Sequence, residues 1–136
     1  ASPESRLGIP PAKLGLAYTL EDMKQLVDVV GPSHAKSMMF TGRAVPAAEA
    51  LAIRLVNAVH PLDAIEQETR DFAAQIARNS QFSVRVLKQI IGMIADGADA
   101  ETEESWQLAM QAYEGEDYRE GVAAFLGKRP AKFTFS

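Results

Sequence analysis

The chain of 136 residues has the usual size of one domain and carries 14 Lys and Arg against 18 Asp and Glu, a formal net charge of -4. This balance argues against a nucleic-acid surface, because phosphates require clustered positive charge. The chain has no cysteine, which excludes disulfides, cysteine nucleophiles and thiolate metal sites. His34 and His60 are too distant in sequence for a paired site on one helix face, so we expect no bound metal.

Membrane and export signals are not found in the sequence. No apolar run is long enough to span a bilayer, and no basic segment precedes an apolar stretch with a cleavage site. We therefore expect no membrane span and a cytoplasmic location. The chain begins with Ala1 rather than methionine, so it could be a processed domain, a cloned domain or a fragment of a longer protein.

The first half of the chain shows three helical patterns. Apolar residues recur at helical spacing from Leu20 to Val30, and Thr19 can cap that helix by accepting the backbone N–H of Asp22. Gly31 and the proline after it end this helix. Further helices are expected over 33–40, ending at Thr41 and Gly42, and over 46–55, opened by Pro46; Leu55–His60 then predicts a strand that Pro61 closes.

The second half is predicted to be helical, apart from a loop over residues 96–100. Helices are expected over 62–79 and 82–95, around Trp106, Met110 and Tyr113, and from Asp117 to Leu126. Asp117 and Glu120 have the spacing of a capping box, and Gly127 would end the last helix. The whole chain therefore predicts a mainly α fold, with apolar stripes wide enough to require a partner sheet or neighbouring subunits.

Five segments along the chain together resemble one family. Residues 7–15 read L-G-I-P-P-A-K-L-G, followed by T-G-R at 41–43, A-E-A-L at 48–51, L-V-N-A-V at 55–59, and E-D-Y-R-E-G at 116–121 with A-A-F and K-R-P after it. In this order, they resemble the crotonase, or enoyl-CoA hydratase/isomerase, family, and the resemblance covers nearly the whole chain.

The resemblance implies that the chain is the C-terminal half of such a protein. In the family, an α/β spiral core precedes a helical region that forms oligomers. Residues 1–19 would be the end of the core with the active-site loop, and residues 20–136 the helical region with oligomerisation and CoA-contact surfaces. The resemblance also implies that the parent protein assembles as a homo-oligomer, either a trimer or a hexamer.

The family acts on acyl-CoA thioesters, so the resemblance implies a coenzyme A thioester as substrate and no further cofactor. Two backbone N–H groups hold the thioester carbonyl oxygen in the family and stabilise an enolate. Both donors come from the N-terminal half of family members. The parent is therefore expected to be an enzyme, whereas this chain alone is expected to be inactive.

Pro11 and Tyr18 indicate which chemistry the resemblance favours. Hydratases of the family use two glutamates, and Pro11, which has no proton to give, stands where one of them is expected. Pro11 with Tyr18 resembles members that decarboxylate methylmalonyl-CoA, in which a tyrosine at this place orients the substrate carboxylate. Thr19 departs from that pattern, because those members have asparagine there. The resemblance thus favours decarboxylase or lyase chemistry over hydration.

Phe125 and Lys128 are the expected CoA contacts. In several family members an aromatic ring and a lysine at these places reach the adenine and phosphates of CoA from a neighbouring subunit, and Arg129 and Lys132 could share the phosphate role. On residue type alone, a packed phenylalanine and a solvated lysine are an equal alternative.

Two structural alternatives stay open. Tyr18 could be a half-buried packing residue, and Pro10 with Pro11 could serve only to rigidify the loop. For the whole chain, the alternative is a non-catalytic helical module whose apolar stripes form an oligomerisation surface.

Overall fold

In the computed structural model of the chain, residues 1–134 are described and belong to two compact units, Ala1–Thr69 and Arg70–Ser136. The described residues form seven helices and one two-stranded sheet, so the expectation of a mainly α chain is confirmed. The division by role into residues 1–19 and 20–136 stays a prediction, and its last two residues, 135 and 136, lie outside the described residues.

The first unit begins with a short antiparallel sheet. β1 (Arg6–Leu7) pairs with β2 (Val45–Pro46), and Leu7 lies opposite Val45. A Cβ on Gly8 would lie 3.1 Å from the Arg43 carbonyl oxygen, so glycine permits the close approach after β1. The pairing therefore holds α1 (Pro11–Leu14) and the loop around it near the residues that precede β2.

α2 (Leu20–Thr41) consists of two helical segments that join at Gly31. The Thr19 hydroxyl caps its start by accepting the N–H of Asp22 at 3.2 Å. Gly31 has φ 75° and ψ 161°, which interrupts the helix immediately before a proline, and Gly42 ends the second segment with φ 55°. The predicted cap, break and end of these helices are therefore confirmed.

A buried apolar cluster is the core of the first unit. Its members come from α2, β2, α3 (Ala47–Ala52) and the residue after α3, and they are Val30, Ala35, Met38, Val45, Ala50 and Ile53. Met38 and Val45 are only 2% and 0% exposed. Each such burial contributes about 1.5–3 kcal/mol. The cluster therefore ties α2 to β2 and α3.

The predicted strand over Leu55–His60 is wrong. α3 ends at residue 52, and the N–H groups of Leu55 and Val56 then donate to the carbonyl oxygen of Ala50 at 2.8 and 3.3 Å. These donors are used inside a turn and are not available to a sheet. The end of this segment instead bonds the backbone of Ala1 through two hydrogen bonds of 3.0 Å.

The remaining helices are α4 (Ile65–Arg78), which begins in the first unit and ends in the second, α5 (Gln81–Ala95), α6 (Glu103–Glu114) and α7 (Glu116–Leu126). The Ser80 hydroxyl caps α5 by accepting the Ser83 N–H at 3.1 Å, and α5 continues through Gly92. Thr102 and Ser105 form a reciprocal capping box at the start of α6. Side-chain caps therefore define where α5 and α6 begin.

The predicted capping box at Asp117 and Glu120 is wrong. The cap of α7 is Gly115, which has no side chain to accept a hydrogen bond. Asp117 Oδ1 instead accepts the N–H of Thr134 at 3.3 Å, and Glu120 pairs with Arg129. Both carboxylates therefore fasten the segment that follows α7, because their oxygens find backbone and guanidinium donors there. Residue 127 ends α7, as predicted.

The helices of the second unit leave most of their large apolar side chains exposed. Val86 and Ala124 are the only buried apolar residues among those described in this unit. Residues that are more than half exposed include Phe72, Leu87, Ile91, Ile94 and Trp106. The second unit therefore has little core of its own. Across residues 1–134, each helix is too short or too polar to cross a bilayer.

Candidate functional site

The loop between β1 and α2 carries Pro11, the first predicted site residue. Pro11 opens α1 at its first helical position, where an N–H would have no helical partner. Its side chain is buried, whereas residues 12–20 are exposed. The N–H groups of Gly15 and Leu16 both donate to the Pro11 carbonyl oxygen. Pro11 is therefore fixed in backbone and side chain, and it offers neither an acid nor a base.

Lys13 anchors this loop on the end of α2. A Cβ at Gly42 would lie 3.1 Å from Cγ of Lys13 and 3.2 Å from Cδ and Cε. The aliphatic part of the Lys13 side chain thus packs against the backbone of Gly42, where a Cβ would come too close. Gly42 also adopts φ 55°, a conformation that favours glycine. This contact between α1 and α2 sets the position of the loop.

Tyr18 lies at the end of the loop, directly before the cap of α2. Its side chain is 45% exposed, and within residues 1–134 no hydrogen bond engages its hydroxyl. The neighbouring Thr19 donates to Asp22 Oδ2 at 2.8 Å, so the Asp22 carboxylate is occupied in the helix cap. The phenol of Tyr18 is therefore open to donate a hydrogen bond to a ligand or to accept one from it.

Arg43 and Glu49 form an ion pair in the first unit that no sequence pattern indicates, because their six-residue separation joins a turn to a helix rather than one helix face. Nη1 of Arg43 donates to Glu49 Oε2 at 2.8 Å, and Nη2 donates to Oε1. This hydrogen bonding lowers the pKa of Glu49 and raises the pKa of Arg43. Glu49 is therefore held ionised and is a poor substitute for a missing proton donor.

The end of α7 carries Phe125 and Lys128, the predicted ligand contacts. The Phe125 side chain is 82% exposed and is not part of a core in this unit. Lys128 adopts φ 50°, which is unusual for a lysine, and its N–H donates to the Phe125 carbonyl oxygen at 3.1 Å. Among the described residues nothing engages its ammonium. An open ring and an open cation thus lie within one turn of each other.

Arg129, unlike Lys128, is engaged by a carboxylate. Its Nη1 and Nη2 donate to Oε1 and Oε2 of Glu120 at 2.6 and 2.8 Å, and the Lys132 N–H donates to Oε1 at 2.7 Å. These bonds, chiefly those from Arg129, lower the pKa of Glu120 to about 2. Binding of a CoA phosphate by Arg129 and Lys132 stays a prediction. For Arg129, a phosphate would have to compete with the Glu120 carboxylate for the guanidinium.

An apolar groove of about 580 Å³ lies in the second unit between α5, α6 and α7. Tyr113 and Tyr118 line it and form an edge-to-face pair, with ring centroids 5.2 Å apart. Phe125 also lines this groove, and its polar lining includes Ser80, Ser83 and Asp117. The groove has the size and the mainly apolar character of a small-ligand or side-chain binding site.

The predicted site residues fall into two pairs. Pro11 and Tyr18 belong to the first unit and share one loop, whereas Phe125 and Lys128 belong to the second unit and share one helix end. Within the described part of the chain, no three His, Asp or Glu side chains are grouped so that they could hold a metal ion.

The sequence matches the model of the enoyl-CoA hydratase/isomerase family over residues 1–135. The chain belongs to this family.

Known proteins show the same relationship. A Thermus thermophilus protein designated an inferred enoyl-CoA hydratase is 35% identical over 134 residues, which are 96% of this chain and 51% of that protein. The methylmalonyl-CoA decarboxylase of Escherichia coli is 27% identical over 136 residues, 98% of this chain and 52% of the decarboxylase. A crystal structure is known for a Hyphomonas neptunium protein described as an inferred enoyl-CoA hydratase/isomerase family protein. Its sequence is 39% identical to this chain, and the two structures match with a TM-score of 0.90 over 97% of this chain and 50% of that one. The chain therefore spans about half the length of these relatives.

Proposed function

We propose that this chain is the C-terminal half of a crotonase-family enzyme that binds an acyl-CoA thioester and stabilises its enolate, with decarboxylation favoured over hydration. The observation that carries the proposal is Pro11, buried at the first position of α1, where a family hydratase is expected to have glutamate. Proline can neither give nor accept a proton, so activation of water here lacks its acid or base. The match to half of each relative supports the assignment to one half of a longer protein.

Decarboxylation of a malonyl-type thioester requires less from this loop than hydration does. Loss of carbon dioxide breaks the bond between Cα and the carboxylate and leaves its electron pair in the enolate, so no base must first remove a proton. Backbone N–H donors from the other half of the parent would stabilise the charge on the thioester oxygen, and water would then protonate the carbon. Tyr18, whose hydroxyl has no partner among residues 1–134, is the group that we assign to orient the leaving carboxylate.

Overall similarity does not choose between the two reactions. The relative named as a hydratase is 35% identical and the methylmalonyl-CoA decarboxylase is 27% identical. The preference for decarboxylation is supported instead by the local chemistry of Pro11 and Tyr18.

The proposed CoA contacts are Phe125 and Lys128. The exposed ring would cover the adenine, and the ammonium, which is unengaged within the described residues, would pair with a phosphate. We propose that the parent is a cytoplasmic homo-oligomer, a trimer or a hexamer, in which these two residues reach the ligand of a neighbouring subunit. No cofactor beyond the substrate is required by this chemistry.

The reaction is tested on the full-length parent with crotonyl-CoA and methylmalonyl-CoA as substrates. We expect decarboxylation without hydration above background. Tyr18→Phe should lower kcat/KM for decarboxylation roughly tenfold to hundredfold, because a hydrogen bond to a charged group is worth about 1.5–3 kcal/mol. Tyr113→Phe is the matched control, since it removes a phenol hydroxyl from the other unit. Robust hydration with no decarboxylation would overturn the proposal.

A non-catalytic helical oligomerisation module is the second candidate, and the exposed apolar faces of α5 and α6 favour it. Calorimetric titration of the chain with acetyl-CoA, together with size-exclusion chromatography, separates the two. The leading proposal expects binding that weakens about tenfold in Phe125→Ala, by analogy with base stacking on an aromatic ring. It expects a loss of about two- to fivefold in Lys128→Gln, as for an exposed ion pair. Lys36→Gln should leave the affinity unchanged. A stable oligomer without CoA affinity would support the module.

A further inference from the structure

Lys13 lies on the loop between Pro11 and Tyr18, the two residues that the proposed function assigns to the reaction. Its side chain lies along Gly42, because Cγ is 3.1 Å, and Cδ and Cε are 3.2 Å, from the place where a Cβ of Gly42 would be. The ammonium is bonded directly to Cε, so it is held beside the C-terminus of α2. The last turn of α2 has no basic residue, and Lys13 therefore supplies the positive charge that a helix C-terminus favours.

The position of α1 depends on contacts outside the loop. α1 has only four residues, too few to be stable by themselves. The Lys13 N–H donates to the Pro10 carbonyl oxygen at 3.2 Å and the Leu16 N–H to the Pro11 carbonyl oxygen at 3.0 Å, so both hydrogen bonds stay within the loop. Among residues 1–134, no hydrogen bond or ion pair engages the Lys13 ammonium. Together with the burial of Pro11, the packed carbons of Lys13 therefore fasten α1 to the unit.

The turn at residues 41–43, on which Lys13 packs, is itself fixed on both sides of Gly42. Before it, the Thr41 hydroxyl donates to the Ser37 carbonyl oxygen at 2.6 Å and accepts the Arg43 N–H at 3.3 Å. After it, Arg43 Nη1 donates to Glu49 Oε2 at 2.8 Å. Packing on a turn that is held in this way gives the loop a defined position.

Tyr18 lies between the Lys13 contact and the cap of α2, where the Thr19 hydroxyl accepts the Asp22 N–H at 3.2 Å. A small displacement of a reacting group can lower a rate greatly. We propose that Lys13 is a positioning residue for Tyr18: its aliphatic carbons, packed on Gly42, set where the phenol hydroxyl meets the substrate carboxylate. The inference rests on the proposed function, because it requires that Tyr18 act on the substrate.

Two substitutions of Lys13 separate positioning from a direct contact of its ammonium with the substrate. Methionine keeps an unbranched apolar side chain and lacks the charge, whereas alanine lacks both. In the full-length parent, we expect Lys13→Ala to lower kcat for methylmalonyl-CoA decarboxylation about tenfold with little change in KM. Lys13→Met should lower kcat less than about twofold, because the packing on Gly42 is kept. Lys36→Ala, at an exposed position on α2, is the control and should leave both constants unchanged.

A double-mutant cycle tests whether Lys13 acts through Tyr18. If it does, the two substitutions are not additive, and Lys13→Ala should lower kcat less than about twofold further in an enzyme that already carries Tyr18→Phe. An equal loss from Lys13→Ala with and without the phenol hydroxyl would contradict the inference. So would an equal loss of kcat in Lys13→Met and Lys13→Ala, because that result assigns the effect to the charge.

Hydrogen exchange of the 136-residue chain gives a readout that does not depend on activity. The protection of the Leu16 N–H, relative to its intrinsic rate, should fall at least about threefold in Lys13→Ala and be retained in Lys13→Met. Unchanged protection in Lys13→Ala would overturn the inference, whatever the effect of Tyr18→Phe on the rate. A fall in protection together with a parent that does not decarboxylate methylmalonyl-CoA would count against the proposed reaction, while the attachment of the loop through Lys13 would stand.

Discussion

The two units of the chain differ in how completely each buries its own apolar side chains. In the first unit, Met38 and Val45 are almost fully enclosed by a cluster built from α2, β2 and α3. In the described part of the second unit, only Val86 and Ala124 are buried apolar residues. Because burial of apolar surface is the main favourable contribution to folding, the buried cluster gives the first unit more internal stabilisation than the described part of the second unit obtains from its two buried residues.

This difference has a counterpart in the two pairs of site residues. Pro11 and Tyr18 lie on one loop. The loop is positioned by the sheet and by the contact of Lys13 with the end of α2, and a reacting group requires such positioning. Phe125, a proposed CoA contact, lies on an exposed helix end. The proposed reacting residues are thus held by contacts within the first unit, whereas the proposed CoA contact in the second unit is open to solvent.

The largest expected effect on stability is in the core of the first unit. Met38→Ala should lower the free energy of unfolding by about 2–5 kcal/mol, because it leaves a cavity in a cluster where Met38 is 2% exposed. Chemical denaturation of the chain measures this. Phe40→Ala, at a position on the same helix that is 74% exposed, is the control and should change it little. Similar losses in both variants would mean that the first unit has no core of its own.

Two glycines sharpen the comparison, because alanine should act on them in opposite directions. Gly42→Ala places a Cβ 3.1 Å from Lys13 Cγ at φ 55°, so it should cost at least about 1–2 kcal/mol. Gly92→Ala, inside α5 and with no atom within 4 Å, should stabilise the chain by about 0.5–1 kcal/mol. Thermal unfolding of both variants tests the signs. Destabilisation by Gly92→Ala would show that α5 is covered in the free chain.

A pH titration tests whether the ion pair between Glu120 and Arg129 stabilises the segment that follows α7. Because the pKa of Glu120 is lowered from 4.5 to about 2, its pairing with Arg129 contributes stability above pH 4.5. That stability is lost as the pH falls through about 2. The protection of the Lys132 N–H against hydrogen exchange, relative to its intrinsic rate at each pH, should therefore fall over this range, because this N–H donates to Glu120. In Glu120→Gln, exchange should lack this acid transition, and an unchanged transition would rule out Glu120 as its cause.

The smallest expected effect on stability is at the exposed end of α7. Phe125→Ala should change the free energy of unfolding of the chain by less than about 0.5 kcal/mol, because the ring is 82% exposed. The same denaturation experiment measures it. A loss comparable to that of Met38→Ala would show that Phe125 belongs to a core and would remove the contrast between the units.

Local chemistry made much of the fold predictable from sequence. Thr19, Gly31 and Gly42 set the start, break and end of α2, because a hydroxyl cap and two glycines with positive φ act over neighbouring residues. Interactions between distant residues were not accessible in this way. The apolar run over Leu55–His60 has the composition of a strand, yet its first donors return to Ala50 in a turn.

The candidate site shows the same limit. The sequence resemblance pointed to Pro11 and to Phe125; the structure places Pro11 as the buried first residue of α1 and Phe125 on an exposed helix end. The competition of Glu120 for Arg129 depends on how the chain folds back after α7, so spacing alone did not reveal it. Asp117 and Glu120 have the three-residue spacing of a capping box, which suggested a helix cap. In the structure both carboxylates instead accept hydrogen bonds from residues that follow α7.

The backbone of Lys128 has a consequence for engineering this chain. At φ 50°, replacement by glycine would relieve about 1–2 kcal/mol of steric cost, while it would delete the only charge that the residue carries. A stability screen is therefore expected to select Lys128→Gly, whereas the proposed contact of Lys128 with a CoA phosphate predicts that a screen for ligand affinity would select against it. Under that proposal, stability and ligand binding favour different residues at position 128.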